Sequence, residues 1–345
     1  MIDSHPQDSP AESALPAEAF ARIAFAGHVA REVRREGIFV APPAGTLNGV
    51  VEAFDAGILT VHPAVFGLSP HPFTSRVRRS GMETIRLLVA PSQLEAARRI
   101  ERELLTDGEL RDRRDACAID ACEPLELLLA LASGIGREPN GLFAEGAADD
   151  DEAIEALRGL EHDWDMFGVS DRAAFAHGLA SPAAPRTLEA LAALDALCRP
   201  GPVASGLLAL FLGEDPNECL AELSPEPIAE LTSTRGVPVF HEQLEAVATR
   251  ALGIPPLEAP RLRLDLARGG EPAWTLASRM ADGLHRAGMT ADSAAKAAVA
   301  ITAYAPHTAS RAHYLPWTRL VLSMASVAAH APSVYRDART RVTTR

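Results

Sequence analysis

The chain has 345 residues, enough for two or three subdomains and a sizeable core. Its 46 acidic against 33 basic residues give a formal net charge of −13, with Lys296 the only lysine. That balance argues against the basic stripe by which a nucleic-acid-tracking surface neutralises phosphate. No uncharged run reaches the length of a membrane span, so the expectation is a soluble, cytoplasmic chain with no membrane contact.

The chain starts with MIDSHPQDSPAESALPAEAF, which is polar, acidic and proline-bearing and reads as neither a signal nor a transit peptide. It is expected to be a disordered lead over residues 1–25. Helical spacing already begins at Phe20 and runs to Arg35, with Ile23, Ala24 and Val29 on the apolar side. GIFVAP then reads as a strand, and PPAGTLNGVVEAFDAGILTVHP as a turn, a helix and a second short strand. Met82–Ala90 reads as a further strand. Ser92, Gln93, Leu94 and Glu95 form a capping box that opens a helix to Thr106, with Gly108 as its stop. From Pro124 onward the pattern is mainly helical. Leu188, Leu191, Leu194 and Leu197 line one face of a helix ended by Pro200. Met289–Tyr304 and Pro316–His330 are two alanine-rich helices.

Two rigid marks punctuate the C-terminal half. Arg199-Pro200-Gly201-Pro202 is expected to lie outside any helix interior, because each proline removes a donor and fixes φ. Gly236-Val237-Pro238-Val239-Phe240 reads as a short extended segment leading into a helix that opens with His241-Glu242-Gln243. Cys117, Cys122, Cys198 and Cys219 lack the two close pairs of a zinc site and are expected to be buried reduced thiols. Asp149-Asp150-Asp151-Glu152 fits a helix N-terminus, where acids complement the dipole, better than a metal site. His241-Glu242 lacks the second histidine of a metalloprotease helix. His313 and Tyr314 are expected to cap or pack a helix, and residues 339–345 to form a solvated basic tail.

These marks resemble the fingers region of the bacterial C-family DNA polymerases, the DNA polymerase III alpha subunit and its error-prone relatives. Ala196-Leu197-Cys198-Arg199-Pro200-Gly201-Pro202 stands where that family has AL.RPGP, and Gly236–Gln243 where it has GV..FQEQ, with His241 replacing the first glutamine. Gly168-Val169 matches the start of its GVFQLES block, whereas Ser170-Asp171 departs from it. His313 falls on its SH position and Pro332 on its H.P position. AGTLNGVVEAFDAGILTVHP is similar to the family's palm block, and the blocks together cover roughly residues 27–338.

The resemblance implies an α+β fold. A small mixed α/β palm remnant of nucleotidyltransferase type would span 26–123, followed by a mainly helical fingers-like domain over 124–338. It also implies two-metal nucleotidyl transfer, in which carboxylates hold the divalent ions. Here the three aspartate positions of the catalytic strand are Thr84, Arg86 and Leu88, and Asp120 is the only surviving candidate carboxylate. Glu83, by alternation, faces away from Thr84 and does not replace the lost acids. Only about thirty residues separate Arg86 from Asp120, so the thumb that the resemblance places there is expected to be missing, as are the family's flanking modules. For nucleotide binding the resemblance leaves Gly45 and Thr46, with a plain helix cap at Thr46 as the competing reading. It also leaves Arg261, Arg263 and Arg268. The expected function is that of a truncated, degenerate homologue without nucleotidyl transfer, an interaction or regulatory module with a replication or repair protein as its partner. DNA binding would be weak or absent, and no cofactor is expected unless polymerase activity survives, in which case magnesium. The alternatives are an active DNA-directed DNA polymerase and a non-catalytic nucleotide- or DNA-binding protein.

Overall fold

The computed structural model describes residues 17–41, 46–66, 68, 84–106, 116–145, 150–164, 167–214, 228–256, 258–267 and 271–344. Helix α1 (Ala17–Arg35) begins inside the expected lead. Ala19, Ile23, Ala26, Val29, Ala30 and Val33 are buried at helical spacing, which gives α1 one apolar face to dock. Gly37, at φ +77°, ends it, with the Ile38 and Gly37 N–H groups returning to the carbonyls of Val33 and Arg34.

The segment after α1 does not become a strand. Only Ala41 joins the sheet, through an isolated antiparallel bridge to Leu88, and the prolines at 42 and 43 offer no N–H to extend it. A 3₁₀ turn (Thr46–Gly49) and α2 (Val51–Asp55) follow. The second short strand is also absent among the described residues. Ile58 donates back to the carbonyl of Ala53, and the Arg34 guanidinium takes the carbonyls of Gly57 and Ile58 that a neighbouring strand would have used. Gly27 lets α1 pass close to this turn, since a Cβ there would lie 2.1 Å from the Ala56 carbonyl oxygen.

β1 (Ile85–Val89), a 3₁₀ turn (Pro91–Gln93), α3 (Leu94–Thr106) and β2 (Cys117–Ala121) make one parallel β–α–β unit. Ile85, Leu87, Val89, Cys117 and Ile119 are buried in a core shared with α1 and α3. The capping box is not made. The Ser92 N–H and hydroxyl both donate to Glu126, at 3.1 and 2.8 Å, and Glu95 instead accepts from Arg102 at 2.7 Å. A better-placed carboxylate from another helix displaced the local one.

From Pro124 onward the described residues are mainly helical. α4 (Pro124–Gly134), α5 (Pro139–Glu145), α6 (Asp151–Gly159), α7 (Arg172–Ala180) and α8 (Leu188–Leu197) are followed by two short helices, α9 (Pro200–Ala204) and α10 (Leu207–Phe211). Next come α11 (His241–Leu252), α12 (Ala259–Ala267), α13 (Glu271–Arg286), α14 (Ala291–Tyr304), α15 (Arg311–His330) and α16 (Pro332–Thr343). The molecule is thus mostly helical with a small two-stranded parallel sheet, an α+β arrangement.

Leu188, Leu191, Leu194 and Leu197 are all buried, as their spacing predicts. Asp150 caps α6, accepting from the Ala153 N–H at 2.9 Å, which is the expected role of that acidic run. Pro200 does end α8, but the Pro-Gly-Pro block itself is the first turn of α9. Pro200 and Pro202 sit where helix N–H groups have no intrahelical partner, so nothing is lost there. α15 starts five residues before Pro316 and carries it inside the helix. The basic tail is not free either: residues up to Thr343 continue α16. Buried Asp163 accepts from the Tyr335 hydroxyl at 2.8 Å and pairs with Arg339. A carboxylate only 3% exposed needs such partners. Cys117 and Cys198 are buried free thiols and Cys122 a half-buried one, while Cys219 lies outside the described residues. Burial pushes the Cys122 thiol up to about 11.

Three apolar clusters result. The first gathers α1, α2, α3 and the sheet; the second gathers α4–α8 and α10 with α15 and α16; the third gathers α11, α13 and α14 with the 3₁₀ turn Ala229–Thr234, and α12 packs against it. α15 packs on α6 and α8 and touches the Thr46–Gly49 turn, so it links the sheet unit to the helical one.

Candidate functional site

Strand alternation sends Thr84, Arg86 and Leu88 to the face of the sheet opposite its core, and Asp120 joins them from β2. Asp120 lies directly across from Leu88 and diagonally from Arg86, which is opposite Ala118. The Arg86 guanidinium spans that diagonal and donates to Asp120 Oδ2 at 3.0 Å. Its side chain is 70% exposed and that of Asp120 33%, so the pair sits at the solvent surface. Thr84 is exposed and Leu88 half-buried against the helical core. Glu83 lies outside the described residues.

On the sheet's helical side, burial raises the Glu101 carboxyl above its usual range; Arg98 pulls it down and Asp120 pushes it up. Arg98 Nε donates to the Ile119 carbonyl at 3.1 Å and so covers part of the outer edge of β2. The donor set on the exposed face is one carboxylate already engaged by a cation. Magnesium demands several oxygen ligands, and these residues do not fit it. Among the described residues, no group of three His, Cys, Asp or Glu could hold a metal ion.

Of the residues considered for nucleotide binding, Thr46 and Arg261 stand on separate elements and Arg263 is turned inward. Gly45 and Arg268 lie outside the described residues. Thr46 opens the 3₁₀ turn, which rests against α15: a Cβ at Gly49 would lie 3.5 Å from that of Ala312. Arg261 is exposed on α12, within the third cluster's helices. Arg263 is 8% exposed and turned onto Glu245, 5% exposed, with Nε donating to Oε1 at 2.9 Å. Arg263 therefore holds α12 on α11 rather than facing solvent.

The two punctuation marks converge on one segment, residues 305–311. Phe240 pairs with Ala309 in a parallel bridge, in which the His241 N–H donates to the Ala309 carbonyl at 2.7 Å. The Ala309 N–H donates to the Val239 carbonyl at 2.9 Å. Gln243 Oε1 accepts the N–H groups of Val239 and Phe240, at 3.1 and 2.9 Å. Its amide donates to the Glu230 carbonyl and the Thr234 hydroxyl. Glu242 accepts from the Arg311 N–H at 2.9 Å and the Ser310 hydroxyl at 3.3 Å, capping α15. From the other mark, Arg199 donates to the carbonyls of Ala196 and His307, both at 2.6 Å, and lies over the Tyr314 ring at 5.9 Å. Gly201 is needed beside it, because a Cβ would come within 2.9 Å of the His307 ring.

His313 packs edge-on to Tyr314, and both are part-buried, the packing role expected from sequence. Burial and then Arg199 lower the His313 pKa, while burial raises Tyr314. Sequence reasoning gave Asp195 no role. Part of its surface remains open, yet the protein packed around its carboxyl pushes it up to about 7, against the pull of Arg199. The available signal was its place four residues before Arg199, among the leucines and alanines of α8.

Residues 150–281 match the family described as the bacterial DNA polymerase III alpha subunit finger domain. An error-prone DNA polymerase of Ralstonia nicotianae is 31% identical over 136 residues, 37% of this chain and 12% of that protein. The DNA polymerase III subunit alpha of Halalkalibacterium halodurans is 28% identical over 152 residues, 44% of this chain and 14% of that protein. An error-prone DNA polymerase of Anaeromyxobacter dehalogenans is 27% identical over 191 residues, 54% of this chain and 17% of that protein. The chain thus spans a small part of the length of the curated relatives it matches. The finger match covers the helices that carry both marks, whereas the Arg86–Asp120 face lies N-terminal to it. With its two marks seated in the matched helices, the chain is related to the bacterial C-family DNA polymerases.

Proposed function

We propose that the chain is a degenerate relative of the polymerase III alpha subunit that does not perform nucleotidyl transfer. It serves instead as an interaction or regulatory module in DNA replication or repair. The observation that carries this reading is the Arg86–Asp120 ion pair, 3.0 Å long, on the exposed face of the two-stranded sheet. On this reading the sheet is a palm remnant, and Asp120 is the one carboxylate left from its metal-binding set. A guanidinium on that carboxylate supplies the positive charge a divalent ion would have brought. It cannot accept a coordinating oxygen or activate a primer hydroxyl.

The inward turn of Arg263 supports the same reading, since a residue needed to neutralise a triphosphate is tied to Glu245. The helical unit, held by Gln243, Glu242 and Arg199 through buried and half-buried contacts, can persist as a scaffold without the chemistry. Its partner would be a replication or repair protein, and DNA binding would be weak. No described helix is long and apolar enough to cross a membrane. Primer extension by the pure protein, supplied with magnesium or manganese, tests the reading: no extension is expected. Enrichment of replication or repair proteins with the tagged chain in its own host tests the partner; recovery of neither class contradicts that part.

A further inference from the structure

No further inference is drawn: the strongest candidate, the outward face of the α13–α14 hairpin with exposed Trp274 and Val299, is an unpartnered apolar surface, and nothing in the structure shows what covers it.

Discussion

Arg261 and Arg263 stand two residues apart on α12, one exposed and one buried against Glu245. Two residues along a helix turn a side chain by about 200°, so a basic block of this spacing must split between solvent and interior. The resemblance offers both as phosphate ligands, and the sequence does not separate them because the packing partner, Glu245, sits on another helix. Removing one member of a buried pair strands the other charge. Arg263→Ala should therefore cost about 3–5 kcal/mol of unfolding free energy, and Arg261→Ala no more than about 0.5 kcal/mol, in urea titrations. Arg86 is the contrasting case. Its pair with Asp120 is exposed, so Arg86→Ala should change stability by no more than about 1 kcal/mol in the same titration. Asp195 gives a pH signature. Burial pushes its carboxyl up to about 7 in the folded chain from the ordinary 3.8, so the native state holds more protons than the unfolded one between those values. Its contribution is lost as pH rises from 3.8 through about 7. Asp195→Asn should melt a few degrees above the parent at pH 8, with the gap closing toward pH 4, a scale set by about 1 kcal/mol of stability. Equal melting-temperature differences at both pH values would contradict this.

Elements whose periodicity could be read along the chain form where expected; those that depend on distant carboxylates or guanidiniums do not. α8 and its four leucines are legible because their burial follows from a 3.6-residue repeat. The strand expected after α2 is missing because Arg34, twenty-odd residues upstream, takes the carbonyls of Gly57 and Ile58. The capping box at Ser92 fails because Glu126 reaches it from α4. The Pro-Gly-Pro block lies outside any helix interior as expected, but it opens a new helix, whose first turn tolerates proline as well as a loop does. The extended segment into α11 was legible, but its fastening by Gln243 was not. Gln243→Leu would leave the Val239 and Phe240 N–H groups buried without their acceptor. Each such loss costs about 1–3 kcal/mol, so chemical denaturation should show at least about 2 kcal/mol of destabilisation. A variant as stable as the parent would mean that Gln243 is not holding this junction.

At the scale of the whole molecule, the order of the two marks was readable, and the match to the finger domain over residues 150–281 contains both of them. The three clusters and the role of α15 in joining them were not readable, because they depend on which helix faces meet rather than on any local pattern. The candidate site was half legible. Strand alternation put Thr84, Arg86 and Leu88 on one face, but only the parallel register shows that Arg86 reaches Asp120. The net charge of −13 bears on DNA at this scale too. A salt titration with primer–template DNA should give a slope of log affinity against log salt near zero, where several phosphate contacts would give a steep negative slope. The central claim is that this fold no longer supports nucleotidyl transfer. It is tested most directly by primer extension with magnesium or manganese, running the parent chain beside Asp120→Ala. The account predicts that neither extends the primer; metal-dependent extension by the parent, abolished in Asp120→Ala, would contradict it.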